Sequence, residues 1–256
     1  MKWDSNQYLK FQDERTQPAI DLANRIRLQT PKRAIDLGCG PGNSTVILKA
    51  YFPDAEVIGV DSSENMIQKA RQTHPDISFE ICDLNSDLDK LTEGFDIVFS
   101  NACLQWVPNH RELLPKLYNL LNPGGILAVQ IPKNWDSPLY RAMNEVIDES
   151  KWGFDNVEIA YNGSLEQSEY YDLLSSIDPA FSIWETIYYH SMADHRALVE
   201  WIKGTKLRPY LNVLSEEKGE CLMNEIVEKT KPLYPVQQNG KLIYQFRRLF
   251  FTIQKS

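Results

Sequence analysis

Cysteine is scarce and scattered in this chain. Its four copies in 256 residues, Cys39, Cys82, Cys103 and Cys221, form no C-x-x-C pair. That pattern points to small packing residues rather than disulfides or metal ligands. His74, His110, His190 and His195 show no ligand spacing either, so no structural or catalytic metal is expected. No apolar run approaches the roughly 18 uninterrupted residues of a membrane span, which argues against a membrane partner. Met1-Lys2-Trp3-Asp4-Ser5 has no apolar stretch behind it, so no signal peptide is read there and a cytoplasmic location is expected. Repeats and low-complexity tracts are absent. A long basic run is missing too, and 35 acids against 27 bases give a net charge of −8. A nucleic acid would be repelled by such a surface, so no nucleic-acid partner is expected.

What is present is ordinary in bulk and specific in detail. Hydrophobic content of 43% and charged content of 24% suit one globular domain with an added lobe. Asp36-Leu37-Gly38-Cys39-Gly40-Pro41-Gly42 follows the apolar Ala34-Ile35 and leads into Asn43-Ser44-Thr45 and a helical pattern. It reads as strand, glycine-rich turn and helix start, with glycines allowing a ligand to approach the backbone. The spacing is G-x-G-x-G, and Asn43 stands where a dinucleotide fingerprint would place its third glycine. With Asp36 closing the strand, the turn suits the amino-acid end of S-adenosyl-L-methionine (SAM) and resembles the first motif of class I methyltransferases.

The following elements extend that reading. Glu56–Val60 forms a short apolar strand closed by Asp61, nineteen residues after Gly42. An acid roughly 20 residues past the glycines accepts hydrogen bonds from ribose hydroxyls. A third strand over 77–82 ends at Asp83-Leu84, a fourth over 95–100 ends at Asn101, and a fifth over 125–132 follows Asn122-Pro123-Gly124. Open α/β sheets bind ligands along the carboxyl edge where these polar residues fall. By motif position, Gly38, Gly40 and Gly42 should crowd the methionyl-ribose turn, and Asp36 should meet the amino group directly or through water. Asp61 should take the ribose, Asp83 and the Leu84 backbone the adenine, with Ser62 and Met66 flanking the ring. Asn101 joins them at the end of the fourth strand.

The expected organisation is a lid helix over 1–30, a SAM-binding core over 31–133, and a helical cap with the last two strands over 134–256. Tyr8, Phe11 and Arg15 recur at helical spacing. Their helix either covers the sheet or closes over the cofactor, with Arg15 reaching the methionyl carboxylate. Pro115 is tolerable near a first turn, which predicts a helix starting around Arg111. A sixth strand is expected over 181–190 and a seventh over 248–254, with helices over 194–232 between them.

Longer stretches carry a narrower resemblance. Asn101-Ala102-Cys103-Leu104-Gln105-Trp106-Val107-Pro108-Asn109-His110, Ala128–Trp135, Tyr188-Tyr189-His190 and Leu207-Arg208-Pro209 resemble the trans-aconitate 2-methyltransferases. So do the Trp3…Tyr8…Phe11…Arg15 opening and the Asn239-Gly240…Arg248-Leu249-Phe250 ending. The closing strand departs from the pattern by carrying Arg247 where a proline is expected. The resemblance implies an α/β fold with a seven-stranded Rossmann-like methyltransferase sheet, its last strand antiparallel, and a helical cap. It also implies formation of a methyl ester on trans-aconitate, a small polycarboxylate.

Carboxylate chemistry asks little of a base. With a pKa around 4 the acceptor is ionised at neutral pH, so rate must come from alignment, worth up to roughly 7–11 kcal/mol, and from excluding water. Gln105 and Trp106, just past the fourth strand, are placed to line such a site. Non-reacting carboxylates need cationic or hydrogen-bonding partners, and Tyr188, His190, Lys206, Arg208, Tyr210 and Arg247 are the candidates. Arg247 and Arg248 should face opposite ways on a strand, so at most one enters a pocket. Other readings keep the same turn: a nicotinamide oxidoreductase, lacking its third glycine; a SAM-binding regulatory protein; or a methyltransferase of another acid, including carrier-bound malonyl.

Overall fold

The computed structural model describes residues 12–154, 157 and 163–256, with residues 12–15 by backbone alone. Helix α1 (Gln12–Ala23) buries Ala19, Leu22 and Ala23. Then come β1 (Arg33–Leu37), α2 (Asn43–Tyr51), β2 (Glu56–Asp61), α3 (Glu64–Thr73) and β3 (Ser78–Ile81). β4 (Phe95–Asn101), α4 (His110–Asn119), β5 (Leu121–Pro132), α5 (Pro138–Ile147) and α6 (Gln167–Ile177) follow. The chain ends with β6 (Phe181–Met192), α7 (His195–Lys203), α8 (Arg208–Leu211), α9 (Glu216–Thr230) and β7 (Leu242–Gln254). No helix among the described residues is long and apolar enough to cross a membrane.

Seven strands form one sheet in the order β3-β2-β1-β4-β5-β7-β6. The first five pair in parallel; Ile35 of β1, for example, lies opposite Ile58 on one side and Val98 on the other. β1 and β4 read as near-continuous apolar runs because a parallel strand is covered on both faces. Ile35, Leu37, Val98, Leu127 and Val129 are all essentially inaccessible and belong to one core cluster with Leu114 and Phe251. β7 runs against β5: Gly124 N–H donates to Lys255 O at 2.8 Å, while Lys133 N–H donates to Arg247 O at 2.9 Å. Partner numbers rise on one strand as they fall on the other. β6 runs against β7 by the same logic, since Gln254 N–H meets Ala180 O, Trp184 stacks on Phe250, and His190 lies against Phe246.

α4 begins at His110, where the helix start was expected; Pro115 falls in its second turn, where the missing N–H leaves Arg111 O without its helical donor. Two details differ from expectation. β5 begins at Leu121, and its register against β4 jumps from Phe95↔Leu121 to Ile97↔Ile126. Asn122-Pro123-Gly124-Gly125 is therefore an excursion within the strand, with Gly124 left-handed at φ 79°. β7 is longer than expected at its start, which places Arg247 and Arg248 inside the strand.

The chain divides into two compact units. One comprises Met1–Pro132, Tyr161–Thr186 and Leu249–Ser256; the other comprises Lys133–Ala160 and Ile187–Arg248.

Candidate functional site

In the first unit the polar residues gather at the carboxyl ends of β1, β2 and β4. The turn after β1 holds three left-handed glycines, Gly38, Gly40 and Gly42, at φ 73°, 55° and 98°. Only glycine adopts that conformation without strain. A side chain at Gly38 would collide with Cys103, whereas one at Gly40 would meet nothing within 4 Å. The turn is thus packed from beneath at Gly38 and open at Gly40. Asp61 anchors it from β2: one carboxylate oxygen accepts from Gly40 N–H at 3.0 Å and the other from Ser63 N–H at 2.8 Å. A carboxylate offers about four acceptor positions, so two remain for a ligand. Burial pushes its pKa up.

Asp36 lies fully buried near the carboxyl end of β1. Its Oδ2 accepts from the Ser44 and Thr45 hydroxyls at 2.6 and 2.7 Å, tying the strand to the first turn of α2. Burial raises its pKa to about 6 despite those bonds. Oδ1 of Asp36, Oδ1 of Asn101 and Oε1 of Gln105 are buried without hydrogen-bond partners among the described residues. All three are acceptors in want of donors. The chain kinks just after Asn101: Ala102 sits at φ 55°, a conformation costing about 1–2 kcal/mol for a residue with a Cβ. Two bonds hold it there, Ala102 N–H to Gln130 O at 3.0 Å and Gln105 Nε2 to Ala102 O at 2.6 Å. Such strain gathers at functional turns. Gln105 is buried and Trp106 half-buried in the short helical turn Leu104–Trp106. His110 braces that turn, with Nε2 2.8 Å from Leu104 O and Nδ1 2.6 Å from the Tyr170 hydroxyl.

The remaining cofactor candidates divide. Asp83 is half-buried and accepts from the Asn85 backbone at 2.9 Å; Leu84 and Met66 are buried, and Ser62 is exposed. Tyr8 and Phe11 lie outside the described residues, as does the side chain of Arg15.

The second unit has a different character. His190 stacks between Trp201 (ring centres 4.9 Å apart) and Tyr188 (6.3 Å), with Phe246 and Tyr244 close by. Its Nε2 is buried without a hydrogen-bond partner among the described residues. Burial first and the Arg248 charge second push its pKa down to about 4, so it is neutral at pH 7. Lys206 lies over Trp135 at 5.0 Å, and burial pushes both Lys206 and Arg208 down. Tyr210 is buried edge-on to Phe154. Arg247 departs from its expected role. It is more than a third exposed and paired with Asp136 at 3.1 Å, whereas Arg248 is 3% exposed. Strand alternation explains the difference, because Leu242, Tyr244, Phe246 and Arg248 share the buried face of β7.

A family model described as a methyltransferase domain matches residues 29–195. Trans-aconitate 2-methyltransferase of Methylobacterium radiotolerans is 40% identical, the match covering 99% of this chain and 98% of that one. The protein of the same name from Variovorax paradoxus is 39% identical over 100% of this chain and 99% of its own. The chain belongs to the trans-aconitate 2-methyltransferase family. The fold likeness reaches further: phosphoethanolamine N-methyltransferase 2 of Haemonchus contortus, solved with S-adenosyl-L-methionine, superposes with a TM-score of 0.55 at 18% identity, covering 94% of this chain and 53% of that one.

Within Asn101–His110, sequence reasoning singled out Asn101, Gln105 and Trp106 but passed over Ala102 and His110. Positive φ at an alanine has no sequence signal. His110 offers only a lone histidine six residues from the carbonyl it meets. The burial of Arg248 was discoverable: the alternation Leu242, Tyr244, Phe246 continues to it and not to Arg247.

Proposed function

We propose that this protein transfers a methyl group from S-adenosyl-L-methionine to a carboxylate of trans-aconitate or a closely similar small polycarboxylate. The observation that carries this reading is the 40% identity over 99% of the chain, which runs through both compact units and not the glycine turn alone. The turn fits the cofactor on its own terms. Gly40 leaves open space, Asp61 keeps acceptor positions, and the orphaned oxygens of Asp36, Asn101 and Gln105 want donors of the kind an ammonium, ribose hydroxyls and an adenine amino group provide. Gly38, Gly40, Gly42, Asp36, Asp61, Asp83, Leu84, Met66 and Asn101 are the residues assigned to hold it, with Ser62 at the rim. Tyr8, Phe11 and Arg15 are assigned to the lid.

When bound, the cofactor supplies an electrophilic methyl carbon on a sulfonium. The acceptor carboxylate arrives ionised, so no residue is needed to remove a proton. Gln105 and Trp106 then serve to align the acceptor and keep water out, the two effects left to accelerate an in-line displacement. Tyr188, His190, Arg208 and Tyr210 are assigned to the carboxylates that do not react.

Incubation with SAM and a panel of polycarboxylates, read by mass spectrometry, tests this. One added methyl on trans-aconitate, lost in Asp61→Ala, is expected. Binding of SAM with no acid methylated would end the substrate reading.

A further inference from the structure

Two buried titratable side chains of the first unit, His110 and Tyr170, lie outside the groups assigned to cofactor or acceptor. His110 opens α4, and Tyr170 is wholly buried in α6 with its ring packed on Phe251 at 5.5 Å. Burial outweighs the Leu104 and Val107 carbonyls and pushes the His110 pKa down, so the ring is neutral at pH 7. A neutral imidazole carries one N–H. A carbonyl oxygen can only accept, so that N–H is on Nε2 and donates to Leu104 O at 2.8 Å. Nδ1 is then an acceptor, and the Tyr170 hydroxyl donates to it at 2.6 Å. The hydroxyl oxygen accepts in turn from Leu165 N–H. Every proton in this relay has one place to be.

The relay ends on the turn that carries Gln105 and Trp106. Two successive carbonyls of that turn are held by the segment 163–170. Gln105 O accepts from Gly163 N–H at 2.9 Å, and Leu104 O accepts from His110, itself held by Tyr170. The Gln105 amide is pinned as well: Nε2 donates to Ala102 O at 2.6 Å, which fixes the direction of its buried, unpartnered Oε1. All this is set beside Ala102 at φ 55°, a stretch that stores strain. Packing alone would need no such directionality, since a phenylalanine ring fills much the same space.

We propose that His110 and Tyr170 are positioning residues for methyl transfer, holding the Leu104–Trp106 turn so that Gln105 and Trp106 meet the acceptor in the reactive alignment. The proposal rests on the carboxyl-methylation reading above. The polar atoms of both residues are committed within the protein, so they act through Gln105 and Trp106 and touch no reacting atom. Misplacing an aligning group by about 1 Å costs on the order of 100-fold in rate. Loss of the pair therefore falls on kcat and spares binding.

The test compares wild type, Tyr170→Phe, His110→Phe and His110→Gln, with Tyr118→Phe as control. Tyr118, at the far end of α4, also commits its hydroxyl to one bond in the first unit, to Asp178 at 2.7 Å. Initial rates at saturating SAM give kcat and KM for trans-aconitate, and SAM-induced thermal stabilisation is measured beside them. Tyr170→Phe should lower kcat about 10-fold and His110→Phe about 100-fold, with KM within about twofold and the SAM shift unchanged. His110→Gln keeps an N–H for Leu104 O and should recover about 10-fold of the loss in His110→Phe. Tyr118→Phe should lose melting temperature and keep wild-type kcat.

A Tyr170→Phe protein with wild-type kcat, or one whose loss lies only in KM or in the SAM shift, would overturn the proposal. So would a Tyr118→Phe kcat that falls as far, since any lost hydroxyl bond would then do the same. A His110→Gln protein no faster than a folded His110→Phe would overturn it too. If His110→Phe gives no SAM shift, Tyr170→Phe decides alone by the same limits. A wild type that shows the SAM shift but methylates no acid would instead overturn the reading on which the proposal rests.

Discussion

The two units present their polar groups in different ways. The first is organised around backbone: three left-handed glycines, a strained alanine, and carboxylates that accept from N–H and hydroxyl groups in and around the turn. The second works through side chains: a nest of Tyr188, His190, Trp201, Tyr244 and Phe246 rings with a buried arginine among them. A backbone site tolerates almost no change of residue, since each position is fixed by a dihedral angle or a collision. A side-chain site tolerates substitution and changes its preference instead. The overall charge of −8 describes neither.

The sharpest way to break this contrast lies within the first unit. Gly38 and Gly40 are two residues apart and both left-handed, yet only Gly38 is packed against Cys103. Gly38→Ala adds a collision to the dihedral strain and should cost at least about 3 kcal/mol, lowering the melting temperature by roughly 6–12 °C. Gly40→Ala should cost only the dihedral strain, about 1 kcal/mol, but should abolish stabilisation by SAM. A Gly40→Ala protein with a full SAM shift would place the cofactor away from the open side of the turn.

That asymmetry also marks how far the sequence could be read. Spacing alone located the turn, the acids at strand ends and all seven strands, because glycine count, apolar runs and strand-end position are properties of adjacent residues. It could not tell the packed glycine from the open one, since Cys103 arrives from the far end of β4. Nor could it foresee Asp36 buried under the Ser44 and Thr45 hydroxyls, with an oxygen left over. In β7 the information was present. Alternation along Leu242, Tyr244 and Phe246 continues to Arg248, but two adjacent arginines hid it until burial separated them.

A second test asks whether the two sites can be damaged separately. Asp61→Asn keeps the shape of the side chain and removes the charge that serves Gly40 and any ribose hydroxyl. SAM affinity should fall about 10- to 100-fold, the range for charge-assisted hydrogen bonds. At saturating SAM, KM for trans-aconitate should stay within about twofold. Calorimetry for the first and initial rates for the second would read this. If KM rises as far as the SAM dissociation constant, the two sites are one coupled system and the contrast between units fails.

The gentlest test uses pH. Asp36 titrates at about 6 in the fold against 3.8 when free, so between those values the folded form holds the extra proton. Its contribution to stability is therefore full below about pH 4 and is lost as pH rises through 6. His190 titrates at about 4 in the fold against 6.5 when free, so in its window the unfolded chain holds the extra proton. Its contribution is present above about 6.5 and is lost as pH falls towards 4. In the wild type the two slopes oppose each other between pH 4.5 and 6. Asp36→Asn removes the first, so stability should rise with pH across that interval by about 1 kcal/mol more than in wild type. His190→Gln removes the second, so stability should rise by about 1 kcal/mol less than in wild type. Every other carboxylate contributes the same background to both proteins, so the difference between their urea midpoints isolates these two groups. Equal slopes in the two variants would mean that the buried acid of one unit and the buried imidazole of the other are not held in the charge states their surroundings impose.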